Sequence, residues 1–84
     1  MNTTVRLARF ETAQEALGML IAARSELIYQ ERKKAEPDAE KISVWEAETE
    51  ALAVREDALR FDDAEEIERV IAECGVEVRA IYSR

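Results

Sequence analysis

Histidine is absent from this chain, and its absence removes more chemistry than any other omission. Without an imidazole there is no Ser-His or Cys-His nucleophile pair, no histidine general base and no mixed histidine–carboxylate metal site. Cys74 is the single cysteine, which excludes an intramolecular disulfide and a paired-cysteine zinc or redox motif. The two glycines, Gly18 and Gly75, stand too far apart to build a phosphate-cradling loop. The longest apolar stretch runs only from Met19 to Ala23, far short of a membrane span. No apolar run follows a basic amino-terminal region, so a signal peptide is not expected. The compartment expected on these grounds is the cytoplasm.

What the chain has in abundance is charge. Of its 84 residues, 37% are charged, with 19 acids against 12 bases and a formal net charge of −7. A field of that sign repels phosphate backbones and anionic headgroups, so neither direct nucleic-acid binding nor membrane association is expected. The acids concentrate in 62–73, where Asp62, Asp63, Glu65, Glu66, Glu68 and Glu73 face Arg69 alone. Apolar residues still make up 48%, and they recur with a period, as in a folded domain with buried stripes and solvated backs. The length fits one domain near the lower limit for a single core.

Pro37 is the only proline, and it divides two amphipathic stretches of similar length. Residues 13–35 carry Leu20 and Leu27, and Ile21 and Ile28, at seven-residue spacing, with Leu17 one turn earlier. Residues 38–60 repeat the spacing in Trp45, Leu52 and Leu59. This period predicts two helices packed side by side with a left-handed twist. A short connection at Pro37 makes them antiparallel neighbours, a helical hairpin over 13–60 with its tip at the proline. Thr12 to Glu15 matches a capping box opening the first helix. Arg32, Lys33 and Lys34 suit the negative end of its dipole.

Outside the hairpin, Thr3–Phe10 and Val76–Tyr82 alternate apolar and polar residues and read as short terminal strands. Between them, 63–74 reads as a third helix, started by Asp62 with Glu65 and closed by a left-handed Gly75. The fold class expected is mainly α within α+β, in the order β-α-α-α-β.

Carboxylates are the only abundant reactive group. Glu46, Glu48 and Glu50 alternate along the second helix, and a carboxylate cage for Mg²⁺ needs acids converging from two helices. The first helix offers only scattered acids, Glu15, Glu26 and Glu31, so a solvated face is the simpler reading. No catalytic residue, metal ligand or cofactor is assigned. Cys74 lacks a basic neighbour in sequence and reads as a small buried hydrophobe.

The stripes are wider than a two-helix contact needs, and that excess points to a partner. The expected function is a small acidic interaction module, accessory or regulatory, acting through apolar hairpin faces as a homodimer. The candidate contact residues are Met19, Ala22, Tyr29, Ile81 and Tyr82. Two alternatives stand beside it. An acidic mimic inhibiting a nucleic-acid-binding protein, antitoxin-like, would use Asp62, Asp63, Glu65, Glu66 and Glu68. A carboxylate-metal hydrolase would use the acids of the second helix.

Overall fold

The computed structural model describes residues 2–83. Among them are three helices, α1 (Thr3–Arg32), α2 (Ala39–Ala58) and α3 (Ala64–Tyr82), and no strand. Each helix starts on a side chain that accepts otherwise unpaired amides. Asn2 Oδ1 accepts from the Val5 amide at 2.8 Å, and Asp63 Oδ1 from the Glu66 amide at 3.1 Å. Asp38 Oδ1 accepts from the Glu40 and Lys41 amides at 3.0 and 3.1 Å. A cap of this kind stabilises its helix by about 1 kcal/mol. Pro37 precedes the Asp38 cap and lies outside α2.

α1 is the central element, and α2 returns along its second half. Arg32 pairs with Glu46 and Arg24 with Glu48, while Glu56 lies against Gly18. α3 then follows the first part of α1 in the same direction. The Arg9–Glu68 pair marks its start, and the Tyr82 hydroxyl, donating to the Met19 carbonyl at 3.3 Å, marks its end. α1 packs on both neighbours, whereas no described Cα of α2 lies within 8 Å of one in α3. The helices thus form an open, staggered layer of 53 × 28 × 15 Å, not a triangular bundle. The radius of gyration is 14.9 Å, where a compact chain of this length has about 12 Å.

The core lies along the first half of α1. Ala13, Ala16, Leu17 and Leu20 meet Ile67, Val70 and Cys74 of α3, with Leu59 inserted from the α2–α3 connection. Leu59 leaves the helix in extended backbone (φ −69°, ψ 129°), which frees its side chain to turn inward. Phe10 packs edge-on to Phe61 at 5.9 Å, and the Arg6 guanidinium covers the Phe61 ring at 4.9 Å. Ile28 is buried apart from this cluster, and α2 itself has no fully buried residue.

Both terminal strands of the sequence reading are corrected to helix. Thr3–Phe10 forms the first turns of α1, because Asn2 caps the helix ten residues before the expected start. Thr12 is not a cap: its hydroxyl donates back to the Ala8 carbonyl at 2.8 Å, as a mid-helix threonine does. At the other end, α3 runs through Gly75 to Tyr82, and Gly75 has no positive φ. Cys74, Val78 and Ile81, spaced four and three apart, continue one helical face onto the core. The alternation of 76–82 was compatible with either period, and an isolated strand pair offers little to hold an extended chain. The α3 cap is Asp63, one residue beyond the expected Asp62.

The α1–α2 connection is tied by Glu31. Its buried carboxylate accepts from the Asp38 amide at 3.0 Å and from Lys34 Nζ at 2.9 Å. The Lys34 bond, then the Asp38 amide, hold its pKa below the ordinary carboxylate range against the opposing effect of burial. One side chain therefore closes the last turn of α1 and presents the first residues of α2.

Candidate functional site

Because the backbones of α2 and α3 stay apart, the seam between them is bridged by side chains. Arg55 of α2 donates from Nε to Glu66 at 3.2 Å and from Nη2 to Glu73 at 2.9 Å, both on α3. Arg24 of α1 spans the layer, pairing with Glu48 of α2 and Glu77 of α3. Burial works to lower the pKa of each arginine, and the flanking carboxylates outweigh it, so both are raised. Polar bridges thus do between the outer helices what apolar packing does on either side of α1.

Cys74 lies beneath this seam, buried, with Arg55 Nη1 4.0 Å from its sulfur. The basic neighbour missing from the local sequence is supplied by α2. Even so, burial pushes the thiol pKa up, and Glu73 and Glu77 reinforce burial against Arg55 and Arg24. At neutral pH the sulfur is a protonated, covered thiol. With α3 continuing to Tyr82, its position is mid-helix and no longer in a last turn.

Two carboxylates of the second helix, Glu46 and Glu48, are engaged in the same way. Glu46 accepts from Arg32 at 2.9 Å and Glu48 from Arg24. No cluster of three or more potential ligands suited to a metal ion occurs among the described residues. The acidic stretch also has work inside the fold: Asp63 caps α3, Glu66 pairs with Arg55 and Arg69, and Glu68 pairs with Arg9. Bonding to Arg9 lowers the Glu68 pKa. Asp62 and Glu65 are exposed at the same end.

No family model, curated protein or solved structure matches this chain. Its surface has to be read on its own chemistry.

That surface divides where α3 stops. Past the Met19–Arg24 level, residues 25–32 of α1 and 39–48 of α2 continue as a two-helix stem with no third helix beside them. Leu27 is 45% exposed there, Tyr29 57% and Val44 51%. Trp45, on the heptad row of α2, is only half-buried for the same reason, whereas Leu52, also half-buried, packs against the core. Lys33 Nζ lies 5.0 Å from the Tyr29 ring centre and leaves much of the ring open.

The five contact candidates from the sequence do not form one patch. Met19 and Tyr82 meet through the hydroxyl–carbonyl bond, and Ala22 is exposed one turn beyond Met19. Tyr29 is on the stem, about 15 Å farther along α1. Ile81 is half-buried against the core. Leu27 and Val44 were missed as surface residues because both fall on apolar rows that the heptad pattern assigns to the interior. The signal that finds them is length: α3 covers too little of α1 to bury its whole stripe.

Proposed function

We propose that this protein is a non-enzymatic interaction module that binds a protein partner through the apolar sides of its helical hairpin. The observation that carries this reading is excess surface. A compact monomer of this mass exposes about 5,100 Å², and this chain exposes 5874 Å². The surplus, roughly 800 Å², belongs to the open, elongated layer as a whole, which leaves apolar side chains uncovered. Its apolar part includes Leu27, Tyr29 and Val44, and aromatic side chains such as Tyr29 are enriched in interfaces. Acidic faces around them supply solubility and charge selectivity.

Photo-crosslinking in cells tests the reading. A photoreactive residue at Leu27 or Tyr29 is expected to give a discrete adduct, and the same residue at exposed Asp57 none. Absence of any discrete adduct from either stem position would contradict it.

A further inference from the structure

We propose that α2 is a detachable strap, opening as one unit from a persisting α1–α3 pair, and that ionic strength sets how often it opens. The inference concerns a motion of the fold and stands apart from the interaction-module reading. Three observations carry it.

The first is where the buried side chains lie. α3 sends Ile67, Val70 and Cys74 into the core against Ala13, Ala16, Leu17 and Leu20 of α1. α2 has no fully buried residue, and its Val44 and Val54 are 51% and 62% exposed. Its apolar contribution comes from half-buried side chains such as Trp45 and Leu52. Leu59 is buried, but it lies beyond the end of the helix. Segments with few buried apolar side chains open at free energies below that of global unfolding.

The second is what holds α2 instead. Four ion pairs fasten it: Arg32–Glu46, Arg24–Glu48, Arg55–Glu66 and Arg55–Glu73. All are partly exposed, so salt screens them. α1 and α3 share the Arg9–Glu68 and Arg24–Glu77 pairs, yet the buried cluster lies between those two helices and does not depend on charge.

The third is connectivity. The non-helical stretches 33–38 and 59–63 flank α2, and its backbone packs on α1 alone. Release therefore breaks one packed boundary and one side-chain seam, and leaves 33–63 as a loop between α1 and α3. It uncovers Cys74, which lies 4.0 Å from Arg55 Nη1. Ala16, on the α1–α3 groove with Gly75 and Val78, stays covered.

Labelling of the full chain with an uncharged thiol reagent at fixed pH tests the proposal. Cys74 is the probe in the wild type, and Ala16→Cys in a Cys74→Ala background is the reference. Each rate is divided by that of the same chain unfolded in denaturant. Cys74 is expected to open at least about tenfold more often than the reference position. Raising sodium chloride from about 0.01 to about 1 M is expected to accelerate Cys74 labelling several-fold. Trp45→Ala, about 15 Å before Arg55 along α2, is expected to accelerate it at least about fivefold. Ile67 packs between α1 and α3, beside Arg6 and Phe61. Ile67→Val is expected to speed labelling of the Ala16→Cys chain about threefold and to leave Cys74 labelling unchanged. Equal opening at the two positions overturns the proposal, as does an Ile67→Val effect of the same size on both. Cys74 labelling that ignores Trp45→Ala means that the seam breathes without the helix, and labelling that ignores salt removes the ionic control; either result overturns it too.

Discussion

The two halves of α1 share one apolar stripe and have opposite surroundings. From Phe10 to Leu20 its apolar stripe is covered by α3 and by Leu59, and Ala13, Leu17 and Leu20 are almost completely withdrawn from water. From Ser25 to Arg32 the stripe continues, yet only α2 lies alongside and Leu27 is nearly half exposed. The same heptad pattern therefore makes a core at one end and an available face at the other. The decisive variable is the reach of the third helix, a property of the whole chain that no local window contains.

That contrast gives the largest predicted effect. Leu17→Ala or Leu20→Ala removes a fully buried side chain and is expected to cost about 2–5 kcal/mol in denaturant unfolding. Leu27→Ala is expected to cost less than about 1 kcal/mol. Equal losses at the two ends would erase the distinction between core and stem.

Next in size is the seam. Arg55→Met keeps much of the side-chain volume while leaving Glu66 and Glu73 without their shared partner. These groups are partly exposed, so the expected loss is about 1 kcal/mol, falling further as salt screens the wild-type pairs. Cys74 reports the same event without added labels. Thiol-reagent modification is expected to be slow in the wild type and faster in the Arg55 variant at unchanged helix content. A high thiol pKa also means that Cys74 favours folding below the ordinary thiol range and loses that contribution as pH rises through its folded value.

Gly18 sharpens the comparison from the opposite direction. A methyl group there would meet only the Glu56 carboxylate, at 3.8 Å, an ordinary contact. Gly18→Ala is therefore expected to stabilise the chain by about 0.4–1 kcal/mol in thermal unfolding. A loss of stability would mean that another backbone needs the space.

The smallest effect belongs to the tip. Glu31 has a lowered pKa, so its contribution is complete above the unfolded carboxylate pKa of about 4.3 and is lost as pH falls through its folded value. The stability gap between wild type and Glu31→Gln is expected to be widest near neutrality and to close in acid. A gap independent of pH would remove the carboxylate from the loop's stability.

The residues that advertised their structure in the sequence are those with one meaning. Pro37 preceding Asp38 marks the break between α1 and α2, and the heptad rows mark the faces that pack on one another. Cys74 was legible as a buried hydrophobe from Ile67, Val70 and Ile71 around it. The misread segments were those with two periods at once. Thr3–Phe10 and Val76–Tyr82 alternate, yet Phe10, Val78 and Ile81 also fit a 3.6-residue face, and packing on the core chose the helix. The acidic run looked like a surface feature because Arg9 and Arg55, which neutralise Glu68 and Glu66, are distant in sequence. The stem's exposure was hidden for the reason that it matters: nothing in 25–32 announces that α3 ends short of it.

Hydrogen–deuterium exchange tests the contrast along α1 most directly. Coverage by α3 predicts that amides in 13–20 exchange only on global unfolding, while those in 25–32 and 39–48 exchange through openings of lower free energy. Equal protection along the whole of α1, or weaker protection in 13–20 than in 25–32, would contradict it.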